Sequence, residues 1–580
     1  MKNNWAILLR ERAFSLKEKK AFVFLNDFGE EEESLSFSEL FECASKISYA
    51  LSKETSAGDR VLLLYGPGLD YIKAFYACLL SGVVAVPLYA PQNSRKLMLI
   101  EKIAEDCRPS LAMTTKFYLP KARGKIEVNG KDLKVISPED WLIDERSKNR
   151  PQTSFRNSSL AYLQYTSGST SSPKGVMLTH AATIKHSKAL GKAWDISSSS
   201  VLVSWLPHFH DLGQVLNVLQ PLYYGMKAIL MSPASFIKKP MLWLSAIDRY
   251  KATHSAAPDF AYMHCVEANS RINSDKLNLE SWKVAVNGAE PVKFSTLKAF
   301  SEEFSKSGFS PAAHRPSYGM AETTLVISAH KANATPTTIW LDKSKYKNNE
   351  ILIKPESEST DLIPLVSNGF PLEGSCVLVV DPRSMRELPE RRVGEIWVSA
   401  PWVGAGYWNN QEESEHVFAA TVVSDKGSDS ELTRNFVRTG DLGFFHNGEI
   451  YITGREKDLI IIRGVNHYPQ DLEKTVYEAN DLINREFVAA FPFVKKNREE
   501  LVILAERKRY FDGDVNYDNV ISNIFSRLTI EHGVKPVYIG ILRPGSIPKT
   551  TSGKIQRKLS KKLWLENRLN ILGSRSFEGD

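Results

Sequence analysis

"RVLLLYGPGLDYIKAFYACLLSGVVAVPLY" (residues 60–89) begins and ends on apolar runs of strand length, and "LDYIKAFYACLLSG" between them has helical spacing. A strand, a helix and a second strand in so short a span make a parallel pair joined by a crossover. The alternation continues outward to about residue 330. "SLAMTT", "LAYLQYT", "VLVSWLP", "MKAILMS" and "WKVAVNG" are strand-like, with helical stretches such as "FSTLKAFSEEFSKSG" between them. The expected fold is therefore α/β, with parallel sheets covered by helices. From about 370 to 454 the pattern changes to short strands and turns, predicting a small β-barrel-like subdomain with a hairpin at Asn447-Gly448. After Arg455 a mixed α+β segment begins, with "DLEKTVYEAN" helical and "LVILAERK" a strand. The expected division is an N-terminal domain over 1–455 and a small C-terminal domain over 456–580, with the boundary at 455–458.

The bulk numbers agree with several domains. A chain of 580 residues exceeds what one hydrophobic core supports, and 43% apolar with 24% charged residues is ordinary globular composition. The first twenty or so residues show no signal-peptide pattern, and "ACLLSGVVAVPLYAP" (77–91) is too short and broken to span a bilayer. Cys43, Cys78, Cys107, Cys265 and Cys376 are widely spaced without a CxxC, which points to no disulfide framework and no zinc site. Together these predict a reduced, cytoplasmic protein. The net charge of +7 is mild, but "RPGSIPKTTSGKIQRKLSKK" (543–562) has basic residues and no acidic ones. It reads either as a solvated tail or as a surface for an acidic partner.

Several short motifs carry chemistry. "YTSGSTSSPKG" (165–175) follows the apolar "LAYLQ" and precedes "VMLTHAATIKHSKAL", which has helical spacing. Hydroxyls and amides at a strand-to-helix loop can close on a phosphate chain, with Lys174 adding charge; a flexible Ser/Gly loop has the same composition. Lys precedes Gly here, so this is not a Walker A loop. "SYGMAETT" (317–324) offers Tyr318 to stack a base and Glu322 to hold Mg²⁺, a metal needing few carboxylates when phosphates supply the rest. Taken alone it reads more readily as a strand-to-helix turn. "VNGAEP" (286–291) is a second glycine turn. "VRTGDLGF" (437–444) puts Asp441 where it can accept from two ribose hydroxyls, or serve an ordinary turn. "GREKDLIIIRG" (454–464) and "PKTTSGKIQR" (548–557) complete the set.

In this order the motifs resemble those of the adenylate-forming superfamily, which includes acyl-CoA synthetases, luciferases and amino-acid-activating domains, over about residues 35–562. The resemblance implies ATP as substrate with Mg²⁺. It implies that Thr166, Ser167, Gly168, Ser169, Thr170 and Lys174 embrace the triphosphate. Gly288, Ala289, Glu290, Tyr318, Gly319, Met320 and Ala321 would form the adenine slot, with Glu322 on Mg²⁺ and Asp441 and Arg455 on the ribose. Lys554 matches a catalytic lysine carried by a mobile C-terminal domain, and Lys457 its hinge. The residue types suit the reaction. A carboxylic acid is already ionised at neutral pH, so no base is needed; cations and fixed dipoles are, to offset repulsion at the α-phosphate and charge on the leaving pyrophosphate. "WLPHFHDLGQ" (205–214) brings His208, His210 and Asp211 together without a further metal ligand. By resemblance His210 lies beside the path of the acyl carboxylate. Asp211 matches a position where amino-acid-activating relatives hold an ammonium, although "VLNVLQPLYYG" and "AAPDFAYMHC" nearby suit an alkyl chain better.

"GPGLDYIKAFYACLLSGVVAVPLYAP" and "SWLPHFHDLGQVLNVLQPLYYG" are most similar to fatty-acyl-AMP ligases. Those enzymes load fatty acids onto acyl carrier proteins or onto carrier domains of polyketide and peptide synthases. The polar "KSKYKNNEILIKPESESTDLIPLVSNG" (343–369) matches their insertion, which implies poor use of CoA; a tolerated surface loop is the lesser alternative. Ile351, Leu352, Ile353, Leu362, Ile363 and Leu365 are its expected apolar anchors. A long-chain acyl-CoA synthetase is the alternative enzyme. A nucleic-acid binder is disfavoured because 543–562 has no interleaved aromatics.

Overall fold

The computed structural model describes residues 4–143, 160–166, 173–272, 277–331, 334–347, 349–358, 361–423, 434–462, 465–495, 498–510, 515–550 and 553–577. The strand–helix–strand unit is present as strand Arg60–Tyr65, helix Asp70–Ser81 and strand Val84–Tyr89, the two strands parallel from Arg60↔Val84 to Tyr65↔Tyr89. Gly82 ends the helix with φ 76°, the left-handed stop that glycine adopts without strain. The unit sits in a six-stranded sheet, ordered Lys174–Thr179, Leu160–Thr166, Val84–Tyr89, Arg60–Tyr65, Leu111–Met113 and Val135–Ile136.

A nine-stranded sheet runs beside it. Its parallel centre is Lys20–Leu25, Lys227–Met231, Val201–Ser204, His254–Ala257, Val284–Asn287 and His314–Gly319, with antiparallel strands at both edges. One continuous buried core joins the two sheets, from Trp5 and Phe22 through Phe75 and Tyr162 to Trp243 and Trp282. Such sheets bind ligands at the carboxyl ends of their strands. Here those ends lead directly into 288–290 and 318–322.

One expectation fails at the Ser/Thr/Gly loop. Residues 174–179 are a strand antiparallel to Leu160–Thr166, with Lys174 opposite Thr166, and the helix starts only at His180. The described segment after the loop thus opens as a strand paired with the one before it, not as a helix. A short apolar run fits either element, and the burial of Val176 and Leu178 on one side of the strand decides it.

The β-rich region is a five-stranded antiparallel sheet, ordered Arg386–Glu387, Cys376–Asp381, Gly394–Ser399, Val437–His446 and Glu449–Arg455. Asn447 and Gly448 take φ 53° and 74°, the positive pair that a two-residue hairpin of this sequence demands. Beyond it, strands Ile483–Lys495, Arg498–Arg507, Pro536–Leu542 and Ile571–Ser576 form a sheet whose core, with Leu472, Val476, Ile524 and Leu528, is its own. No helix among the described residues is long and apolar enough to cross a membrane.

The described residues of the insertion take part in a small antiparallel sheet. Thr338–Asp342 pairs antiparallel with both Ile353–Lys354 and Leu362–Val366. Ile351, Ile353, Ile363 and Leu365 pack with Phe444 and Tyr451 of the β-rich sheet and with Tyr468 of the C-terminal part. Leu352 does not anchor it: its side chain is 43% exposed, because it alternates with Ile351 and Ile353.

Candidate active site

Two clusters line the carboxyl ends of the strands. In the first, strand Val437–His446 pairs with Glu449–Arg455 so that Asp441 faces Arg455. Arg455 Nε donates to Asp441 Oδ1 at 2.9 Å, and the Tyr318 hydroxyl donates to Asp441 Oδ2 at 2.7 Å. Asp441 is buried, and its negative charge raises the Arg455 pKa. Both acceptor atoms of Asp441 are thus held in place.

The second cluster was not legible as a motif. Segment 404–408 ("GAGYW") runs alongside strand Lys174–Thr179: Gly406 O accepts from Met177 N at 2.9 Å, and Trp408 N donates to Gly175 O at 2.8 Å. Gly404 N also donates to Glu322 O at 2.8 Å. This places Tyr407 between two expected ligands. Its hydroxyl donates to Glu322 Oε1 at 2.7 Å, and the Lys174 ammonium lies 5.1 Å from its ring centroid. Lys174 itself is ion-paired with Glu413, at the start of helix Gln411–Phe418. Burial pushes the Glu322 carboxyl up, opposed by the Tyr407 hydrogen bond. The Lys174 hydrogen bond holds Glu413 below the ordinary range.

Backbone geometry around these clusters is tight. A Cβ on Gly319 would lie 1.8 Å from Leu325 O, and one on Gly288 would lie 2.9 Å from Ser317 O, so neither position accepts a side chain without movement. Ala289 (φ 66°) and Thr324 (φ 69°) hold left-handed conformations that favour glycine. Such strain costs about 1–3 kcal/mol each and concentrates at functional sites. Glu290, next to Ala289, accepts from Phe260 N at 2.6 Å, and burial, then nearby Asp259, pushes its pKa up to about 7. Met320 N donates to Leu325 O at 2.8 Å, and Ala321 is buried.

The two histidines of "WLPHFHDLGQ" serve separate neighbours. The His208 ring stacks on Tyr71 at 3.9 Å, and burial drives its pKa down to about 3, so it stays neutral. His210 Nδ1 lies 2.6 Å from Asp211 Oδ1. Burial would raise the Asp211 carboxyl, but His210, two hydrogen bonds and Lys554 bring it below its ordinary value.

Lys554 reaches this region from the C-terminal part. Its loop is closed by Lys554 N donating to Thr550 Oγ1 at 3.1 Å and Thr550 N donating to Lys554 O at 2.8 Å. Lys554 is exposed to solvent, yet the surrounding protein lowers its pKa, with Arg455 adding to the shift. Asp441, Asp211 and Glu290 oppose it, so Lys554 lies in the field of the Asp441–Arg455 cluster, of Glu290 and of the histidine loop. Lys457 is exposed just after Arg455. Ser167, Gly168, Ser169 and Thr170 lie outside the described residues; Thr166 is the last residue of its strand.

Two cations of the basic tail are committed within the fold. Arg557 donates to Glu473 through Nε and Nη2, both at 2.7 Å, and Nη1 reaches Asp458 at 3.3 Å. Lys561 Nζ donates to Pro492 O at 2.7 Å. Neither is a free charge.

Residues 9–408 match the AMP-binding enzyme family, and residues 457–574 match the AMP domain of the Disco-interacting protein 2-like type. The medium-chain-fatty-acid–[acyl-carrier-protein] ligase JamA of Moorena producens is 38% identical over 573 residues, covering 97% of this chain and 95% of the relative. A ligase of the same description, TtuA of Teredinibacter turnerae, is 32% identical over 94% of this chain and 91% of its own. Among solved structures, the fatty acid AMP ligase of Legionella pneumophila superposes with a TM-score of 0.76 at 35% identity, covering 99% of this chain and 98% of that one. The chain belongs to the AMP-binding enzyme family.

Proposed function

We propose that the protein activates a fatty acid with ATP to an acyl-adenylate and passes the acyl group to the phosphopantetheine thiol of an acyl carrier protein. One observation carries the reading: Lys554 comes from the C-terminal part into the field of Asp441, Arg455, Asp211 and Glu290. A cation placed there can bridge a carboxylate and an α-phosphate, supplying both alignment and charge. In the first half-reaction a carboxylate oxygen bonds to the α-phosphorus, and the bond from that phosphorus to the β-phosphate oxygen breaks, releasing pyrophosphate. In the second, the thiol sulfur bonds to the acyl carbon, its proton is lost and AMP departs.

Asp441 and Arg455 would hold the ribose, Tyr318 and 288–290 the base, and 166–170 with Lys174 the triphosphate. Glu322 fits Mg²⁺. It is one buried carboxylate with Oε1 oriented by Tyr407, suited to a metal that takes its remaining ligands from phosphate and water. The metal would neutralise phosphate charge; a bound cation would also offset the cost of burying Glu322 ionised. His210, oriented by Asp211, would flank the acyl carboxylate. Support for the acyl substrate and carrier comes from the named relatives. ATP–pyrophosphate exchange that depends on added fatty acid tests the first half-reaction. Acyl transfer to carrier protein against CoA tests the second, and efficient acyl-CoA formation would favour an acyl-CoA synthetase instead.

A further inference from the structure

The Lys174–Glu413 ion pair has no place in the reaction just described. Lys174 is the cation expected to meet the triphosphate, yet its ammonium is held by a carboxylate that reaches it from 239 residues away. The backbone beneath Glu413 is fixed: Asn410 Oδ1 accepts from Glu413 N at 3.1 Å, and Ser414 Oγ accepts from Tyr407 N at 2.8 Å. The Glu413 side chain, in contrast, is 31% exposed and can change rotamer without moving its helix. Tyr407 keeps Glu322 in position separately, through its hydroxyl, so releasing Lys174 need not disturb the expected metal ligand. Lys457 is another cation whose field reaches Glu413, and it can stabilise the carboxylate once Lys174 leaves it.

We propose that Glu413 is an exchange partner for the phosphates: it holds Lys174 when the triphosphate site is empty, yields it to ATP, and recaptures it as pyrophosphate leaves. Glu413 is then a positioning residue acting through Lys174. The pair lowers the affinity for both nucleotide and pyrophosphate, and it favours release of the product that would otherwise drive the reaction backward. The inference rests on Lys174 being a phosphate ligand.

The test is calorimetric titration of the full-length protein with pyrophosphate in excess MgCl₂, which requires neither fatty acid nor turnover. Glu413→Gln keeps size and removes charge. It is expected to bind pyrophosphate about two- to fivefold more tightly, the range for releasing a partly exposed ion pair, and the gain should shrink at high salt. Lys174→Ala should weaken binding, and adding Glu413→Gln to Lys174→Ala should change nothing further. If Glu413→Gln binds pyrophosphate as the parent does, or more weakly, the exchange is refuted. Tightening that persists without Lys174 also refutes it, since that is plain repulsion between Glu413 and phosphate. If Lys174→Ala binds as the parent does, the failure lies in the placement of Lys174 as a phosphate ligand.

Discussion

Tyr346→Ala tests whether the insertion restrains the C-terminal part. The Tyr346 ring is 4% exposed and stacks on Tyr468 at 5.2 Å between centroids. Around it, the Tyr468 hydroxyl donates to Asn349 Oδ1 at 3.1 Å, Lys347 Nζ to Glu531 O at 3.2 Å, and Asn466 N to Lys347 O at 3.3 Å. Truncating a buried aromatic to Ala costs about 3–5 kcal/mol overall. Part of that is packing against Phe444 and Tyr451, which stays with the β-rich sheet in any orientation of the C-terminal part. The share lost only when Tyr468 moves away is the ring pair, about 0.5–1.5 kcal/mol, plus a fraction of the shared burial. A total of about 1–3 kcal/mol corresponds to a 5- to 150-fold shift between two orientations. The assay is formation of acyl-CoA from fatty acid, ATP and CoA, with ATP–pyrophosphate exchange as control. We expect acyl-CoA to rise at least fivefold while exchange stays within a few-fold, since no expected ATP ligand lies in 343–369. Deleting 345–365 is a blunter tool, because it removes two of the three insertion strands and uncovers Ile339 and Leu341. Unchanged acyl-CoA output from a folded Tyr346→Ala protein would refute the restraint.

Three further outcomes follow from the site. Lys554→Ala should slow adenylation by about 10²–10³, as for loss of one preorganised charge, with ATP affinity little altered; near-normal single-turnover adenylation would remove Lys554 from the mechanism. Glu322→Gln should move the Mg²⁺ concentration for half-maximal exchange upward, and an identical Mg²⁺ titration would make Glu322 structural. Glu290 titrates near 7 when folded against an ordinary 4.5, so the folded state binds more protons between those values. Stability from this group is greatest at low pH and is lost as pH rises from about 4.5 through 7. Glu290→Gln should flatten that part of the melting-temperature profile, and a slope identical to the parent's would place the titration elsewhere.

The α/β architecture was legible because strands and helices alternate in plain apolar periods, as at 60–89. The expected phosphate, base, ribose and lysine motifs could be proposed from sequence because each is a contiguous string. What escaped acts across the chain. Tyr407 meets Glu322 over 85 residues, and no local pattern around "GAGYW" announces a partner. The same limit applies to charge. A run of basic residues looks alike whether free or paired, and only the fold shows that Arg557 is committed to Glu473 and Asp458. Strand parity, by contrast, was available and decides two cases. Ile351 and Ile353 must share a face of the insertion, which turns Leu352 to solvent. Val176 and Leu178 share a buried face in the same way, marking 174–179 as a strand. That correction bears on chemistry. The antiparallel register sets Lys174 opposite Thr166 at the end of its strand, where Glu413 holds the ammonium. A side-chain cation of this kind can be withdrawn by one carboxylate and returned by a rotamer change, and that is what makes an exchange at Glu413 physically available.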